Sequence, residues 1–242
     1  MGRLVLKAHL GGVMTNLPLD IELLLDRQRQ GESFSFYHFY GHKPPACGVD
    51  ASCLSQWFVH SFSVDGVEYR SAEHWMMAEK ARLFDDGEAL ELILECETPR
   101  EAKALGRKVR DFDAKLWGDK CFDIVLTGNR AKFGQSDELK EFLTSTAFQG
   151  RRNQVESDCS SFDTQIRASN SMLAAEESET YATSANRELS ASILVEAAPR
   201  DRIWGIGLGA KNEKALDPSQ WRGRNLLGFV LTQVREELRG AL

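Results

Sequence analysis

The 242 residues carry 36 acidic and 30 basic side chains, a formal net charge of -6, with 42% hydrophobic and 27% charged residues. That is enough apolar material for one globular domain with a sizeable core, and the acidic balance excludes a general nucleic-acid-binding surface while leaving room for a local basic pocket for one phosphate. No apolar run reaches the length of a membrane span, Lys7 and His9 interrupt the leading apolar residues, and five scattered cysteines lack a C-x-x-C spacing, so the expectation is a reduced, unexported, cytoplasmic protein without a zinc site.

Residues 1–32 read as an N-terminal extension, whose Leu17-Pro-Leu-Asp-Ile-Glu-Leu-Leu-Leu-Asp run predicts a strand or short helix packed on the body. Residues 33–40 are aromatic-rich and end at Gly41, which predicts a buried strand. Asp65-Gly66, flanked by Phe62, Val64, Val67 and Tyr69, predicts a hairpin. Ser71 then stands where a helix N-cap belongs, so a helix starts near Ala72.

That helix has charges where it should be apolar. Advancing 100° per residue, Met76, Met77, Leu83 and Phe84 fall within about 140° of one another, and Glu73 and Lys80 fall inside that stripe. Seven residues separate the two charges along an axis rising about 1.5 Å per residue, roughly 10 Å, too far for simple mutual neutralisation. Either both side chains reach water or distant partners, or the helix lines a substrate pocket in which partial burial tunes the Glu73 carboxylate. His74 lies on the flank and reads as structural.

Thr98-Pro-Arg-Glu is a capping box and predicts a helix over residues 99–110. Trp117, Cys121, Ile124 and Val125 mark one buried face of a further helix running through Gly128 to Lys132-Phe133, with Trp117 either a core residue or a platform on which a base stacks. Ser136 caps a helix carrying Leu139, Phe142 and Leu143. Residues 150–190 turn polar and read as an insertion, mobile or partly helical around residues 172–177. A strand is expected from Ile193, and Trp204, Ile206 and Leu208 alternating with Gly205, Gly207 and Gly209 predict a strand whose bare face admits a ligand or another backbone. The G-x-G-x-x-A match there lacks a following βαβ unit and does not read as a Rossmann site. Asn225 is expected to cap a terminal helix with a stripe from Leu226 to Leu238.

The blocks Phe39-Tyr-Gly, Leu54-Ser-Gln-Trp-Phe, Tyr69-Arg-Ser-Ala-Glu-His-Trp-Met-Met-Ala-Glu-Lys-Ala, Lys132-Phe133, Leu194-Val-Glu-Ala-Ala-Pro-Arg-Asp-Arg-Ile-Trp-Gly-Ile-Gly and Trp221-Arg-Gly-Arg-Asn-Leu-Leu-Gly together resemble the NADAR, or YbiA-like, family. They span about residues 33–235, so residues 33–242 read as one family domain. The extension, the polar insertion and Gln56, where the family often has Asn, depart from its pattern. The resulting expectation of fold is α+β: helices around a small, mostly antiparallel sheet built from the Ser33, hairpin, Ile193 and Ile203 segments.

The resemblance implies an N-glycosidase of early riboflavin-pathway intermediates, metal-independent and without a cofactor, acting on a small ribosyl phosphate. It implies that Glu73 is the essential carboxylate, Trp117 the active-site tryptophan and Asp201 the acidic partner. Lys80 matches a lysine that in relatives removing ADP-ribose from guanine attacks the opened ribose, which makes an ADP-ribose-type substrate, and nucleic acid only in that modified form, the second reading. A non-catalytic NAD- or ADP-ribose-binding module is the third. Ser55, Trp57, Trp204, Gly205 and Asn225 fall in the matching blocks and are expected at the substrate, with Lys80, Lys132 or Arg202 available to neutralise a phosphate. Glu196 reads as a structurally paired neighbour of Asp201.

Overall fold

In the computed structural model, seven helices and two short strand pairs are formed by the described residues, 17–148 and 191–240. In chain order these are α1 (Ile21–Arg29), β1 (Phe36–Phe39), the hairpin strands β2 (Phe62–Val64) and β3 (Val67–Tyr69), and α2 (Ala72–Leu83). There follow α3 (Gly87–Glu95), α4 (Pro99–Gly106), α5 (Ala114–Gly134), α6 (Asp137–Ser145), β4 (Ile193–Glu196) and α7 (Leu226–Gly240).

Local chemistry sets most of these boundaries. Asp65 and Gly66 both take positive φ, 50° and 79°, the conformation that a tight two-residue hairpin turn demands. The Gln135 side chain bonds both the N–H and the carbonyl of Ser63, at 2.9 and 2.7 Å, and ties the hairpin to the end of α5. Thr98 and Glu101 complete the expected capping box of α4, and Ser71, Asp113 and Ser136 cap α2, α5 and α6. Helix α4 ends at Gly106, short of residue 110, because Asp86 takes the backbone N–H and the guanidinium of Arg110 at 2.9 and 2.7 Å and draws the chain off the helical path.

Helix α2 is the axis of the fold. It packs on α3, α4 and α5, and every residue from Ala72 to Ala78 is buried. The apolar stripe expected on one face is therefore not what sets its orientation; its first two turns are enclosed on all sides, and Leu83 and Phe84 are only half-buried. Enclosure needs close approach. A Cβ at Gly128 of α5 would lie 2.2 Å from the Trp75 ring, whose indole N–H donates to the Ile124 carbonyl at 2.7 Å.

The α+β class holds, while the sheet differs from expectation. Strand β1 pairs with β4 in parallel, Phe36 opposite Ile193 and Phe39 opposite Glu196, and β2 pairs only with β3. Residues 203–209 form no strand: Gly207 turns at φ +69°, and the Asp201 carboxylate collects the N–H groups of Ile203 and Trp204 into a turn. The segment is nevertheless tied to the end of β4, since Ile206 N–H donates to the Glu196 carbonyl at 2.9 Å. The expected helicity at residues 172–177 lies outside the described residues.

Asn225 begins α7 in a way the cap reading missed. Its carbonyl accepts from Phe229 N–H, but its side chain turns to β4, accepting from Glu196 N–H at 2.9 Å and donating to the Leu194 carbonyl at 3.0 Å. The carboxamide substitutes for a neighbouring strand along the open edge of β4 and fixes the backbone of Glu196.

Candidate active site

Glu73 sits in the first turn of α2, 2% exposed, and its Oε1 has no hydrogen-bond partner. A buried carboxylate normally collects donors, because leaving water uncompensated costs several kcal/mol. Here burial pushes the carboxyl up to about 7, Lys103, the Trp57 side chain and Arg107 hold it down, and Asp201 pushes it further up. Lys103 Nζ stands 4.0 Å from Oε1, within ion-pairing range and too far for a hydrogen bond.

Four pieces of chain converge there. Residues 51–57 lead in: the Gln56 carbonyl accepts from Glu73 N–H at 3.0 Å, and Trp57 follows, its ring 5.3 Å from that of His42 and 5.4 Å from Lys103 Nζ. Helix α4 contributes Lys103 and, about one turn on, the exposed Arg107. Strand β4 contributes Glu196. Its neighbours Leu194 and Val195 enter different core clusters, and alternation along a strand places Glu196 on the face of Leu194, towards the main core that contains α2. The turn after β4 contributes Asp201, with Oδ1 held by Ile203 and Trp204 N–H at 2.9 and 2.8 Å.

Glu196 departs from the structural pairing read in the sequence. Its Oε2 is buried without a partner, and burial, then the charges of Asp201 and Glu73, push the carboxyl up to about 8 against the opposing pull of Lys103. Glu73, Glu196 and Asp201 thus lie within electrostatic reach of one another, with Lys103 acting on both glutamates. Among the described residues no three His, Cys, Asp or Glu side chains are grouped as a metal site would be.

Lys80 and Trp117 meet elsewhere along α2, about two turns from Glu73. Lys80 Nζ donates to the Gly106 carbonyl at 2.7 Å and lies 4.1 Å from the Phe112 ring centroid and 5.8 Å from that of Trp117; burial lowers its pKa. Helix α4 connects the two places, Lys103 facing one and Gly106 the other.

The remaining expected residues fall into the scaffold. Lys132 is fully buried, and its ammonium donates to the Cys53 and Ser55 carbonyls at 2.6 and 2.9 Å, so its hydrogen bonds serve residues 51–55 and not a phosphate. Ser55 Oγ accepts from Trp57 N–H at 3.1 Å. A Cβ on Gly205 would stand 2.8 Å from the Glu196 carbonyl, so the bare position is filled by backbone and not by ligand. Trp204 packs against the main core, Asn225 is consumed by β4, and Arg202 is exposed. Sequence reasoning missed Lys103, for which spacing gave no signal, and misread Glu196, whose alternation with Leu194 was the available signal.

A family model described as the NADAR domain matches residues 38–163 and 187–239. A protein of Acanthamoeba polyphaga mimivirus named N-glycosidase R617 is 34% identical over 211 residues, covering 85% of this chain and 98% of its own. Protein irg-1 of Caenorhabditis elegans is 30% identical over 174 residues, 71% of this chain and 62% of its own. A Vibrio vulnificus protein named riboflavin biosynthesis protein VVA0006 is 24% identical over 77% of this chain, which spans only 35% of that protein. The NMR structure of the E. coli protein YbiA superposes with a TM-score of 0.54 at 22% identity, covering 86% of this chain and 87% of that one, and shares the fold. With the family model matching most of its length, the chain belongs to the NADAR domain family.

Proposed function

We propose that the protein is a hydrolase of N-glycosyl bonds that cleaves a phosphoribosylamino-pyrimidine of the riboflavin-pathway type, with Glu73 as the base that activates water. The observation that carries this reading is the buried Glu73 carboxyl, its Oε1 without a hydrogen-bond partner and its pKa raised to about 7, beside Asp201 and the Trp57 indole. The names of the mimivirus and Vibrio relatives support the bond type and the substrate class respectively.

Breaking a ribosyl C–N bond develops positive charge on C1′ and the ring oxygen. The carboxylate cluster is suited to face that charge, because fixed anions in a water-poor site act more strongly than in bulk water. A base near neutrality is half ionised where it works, so Glu73 both takes a proton from water and releases it again. Trp57 or Trp117 offers a flat apolar face for the pyrimidine. Lys103 and Arg107 supply positive charge at the rim of the site for the phosphate.

A second reading, removal of ADP-ribose from guanine, draws on Lys80, whose ammonium lies 4.1 Å from the Phe112 ring centroid and 5.8 Å from that of Trp117 with a lowered pKa, as suits an amine nucleophile. The purified protein and Glu73→Gln should be assayed for ribose 5-phosphate release from the aminopyrimidine ribosyl phosphate and for loss of ADP-ribose from a modified guanine oligonucleotide. Release from the former, lost in the variant, supports the primary reading. Turnover of the latter alone selects the second, and ligand-induced stabilisation without product overturns both in favour of a binding module.

A further inference from the structure

We propose that Glu196 is the proton donor of the site, placing its proton on the leaving nitrogen as the ribosyl C–N bond breaks; this rests on the N-glycosidase reading above. The argument begins with what holds the residue. Its N–H is fixed by Asn225 Oδ1 at 2.9 Å and its carbonyl by the N–H groups of Ile206 and Ala198, both at 2.9 Å, so the strand end is rigid on either side. The side chain is spent on none of this. Its Oε2 is buried and unpartnered, as is Oε1 of Glu73, and strand alternation turns Glu196 towards α2. A carboxyl pinned by its backbone and left without a partner at its reactive end is arranged to meet a group from outside the chain.

The groups that face it decide which carboxyl keeps a proton. Asp201 comes from the turn, Glu73 from α2 and Lys103 from α4, two anions against one cation. Asp201 is in addition held in place by the N–H groups of Ile203 and Trp204, which donate to its Oδ1. Like charges in one enclosed site cannot all ionise together, so environments separate into base and acid. Lys103 stands 4.0 Å from Glu73 Oε1 and favours its carboxylate, whereas burial and the charges of Asp201 and Glu73 push Glu196 up, so Glu196 is placed to keep its proton while Glu73 gives its own up.

The step balances without any further reagent. Water oxygen bonds to C1′ and its proton passes to the Glu73 carboxylate; the C1′–N electron pair goes to nitrogen, which takes the Glu196 proton and leaves as the free amine. The proton on Glu73 then restores Glu196 through solvent or the neighbouring carboxyls. An amine is a poor leaving group as its anion, so this donation matters most for the aminopyrimidine substrate and little where the leaving group is already acidic.

The test exploits that contrast. Glu196→Gln should lose about 10²–10³-fold on the aminopyrimidine ribosyl phosphate but less than about tenfold on 4-nitrophenyl β-ribofuranoside 5-phosphate, whose leaving group needs no proton. Glu73→Gln should lose heavily on both. Equal losses of Glu196→Gln on the two substrates would mark a structural role and overturn the proposal, as would full activity on the amine substrate. Carbon-13 NMR of the free protein labelled at its glutamate carboxyls gives a readout independent of turnover: two carboxyls titrating near 7 and 8, with Glu73→Gln removing the first and moving the second down. A Glu196 carboxyl that titrates in the ordinary range overturns the donor assignment alone. Both high titrations present with neither substrate cleaved by the wild type overturns the N-glycosidase reading and the donor with it.

Discussion

Lys132 and Glu73 are both buried ionisable groups, and the same stretch, residues 51–57, touches each of them. Lys132 donates to the carbonyls of Cys53 and Ser55, while the Gln56 carbonyl takes the N–H of Glu73. The lysine is satisfied by that stretch; the glutamate receives a backbone contact and the Trp57 side chain, and its Oε1 is left without a donor. Arg235 repeats the lysine's pattern on the far side, fully buried yet bonded to Thr146, Ser192 and Glu236, joining the chain on either side of residues 149–190. Burial alone therefore does not separate function from scaffold. What sets Glu73 apart from these two cations is an ionisable oxygen left without a donor, which preserves bonding capacity that a ligand or a proton can use.

The sharpest way to break this contrast is to remove each charge in turn. Glu73→Gln should cost about 10³-fold in turnover, within the range for losing a general base, with the fold intact by circular dichroism. A variant that keeps more than a tenth of wild-type turnover would remove Glu73 from the chemistry. Lys132→Met should do the reverse, losing about 4 kcal/mol of stability in urea unfolding, since two charge-assisted hydrogen bonds vanish and two carbonyls lose their partner. Its turnover per folded molecule should fall far less than that of Glu73→Gln. Equal damage to both properties in both variants would erase the distinction.

The cost of burying Glu73 should also appear as a dependence of stability on pH. Its folded pKa, about 7, lies above the ordinary 4.5, so between those values the native state holds more protons than the unfolded one. Stability is then fully present below about 4.5 and declines as pH rises towards 7, by about 3 kcal/mol at roughly 1.4 kcal/mol per unit. Glu196 acts in the same direction up to about 8. Urea midpoints from pH 5 to 8 should fall in the wild type and fall less steeply in Glu73→Gln, the remaining slope belonging to Glu196; a rising midpoint in the wild type contradicts the assignment.

The chain announced its helices and hairpin through short-range chemistry. Asp65-Gly66, Ser71, Thr98 with Glu101, and Ser136 each act within four residues of themselves, so a linear reading finds them. Glu73 was legible for a related reason: a charge in an apolar pattern is a local anomaly. What the pattern could not supply were the partners from distant segments. Lys132 and Lys80 both interrupt apolar runs, yet only the fold reveals that one is saturated by Cys53 and Ser55 while the other lies against two aromatic rings. The same limit explains the misplaced strand at residues 203–209. Bulky and bare residues alternate there, but the glycines serve the close approach of β4 and a turn at Gly207, tertiary demands that imitate a strand's period.

The smallest effect tests how finely α4 tunes the base. Lys103 stands 4.0 Å from Glu73 Oε1 with its own side chain 36% exposed, so water and salt screen the pair, and an interaction of that kind is worth at most about 1 kcal/mol. Lys103 favours the ionised carboxylate; Lys103→Met should therefore raise the Glu73 pKa and move the ascending limb of kcat/KM upward, by no more than about 0.7 pH unit. Methionine keeps an unbranched chain over the Trp57 ring, so packing is retained while charge is lost. The shift should shrink at 1 M salt, where the wild-type limb itself approaches that of the variant. A downward shift would mean that Lys103 does not act on Glu73 as a counter-charge. A limb that stays fixed in a folded variant would give the tuning to Trp57 and Arg107, the two other groups that hold the carboxyl down.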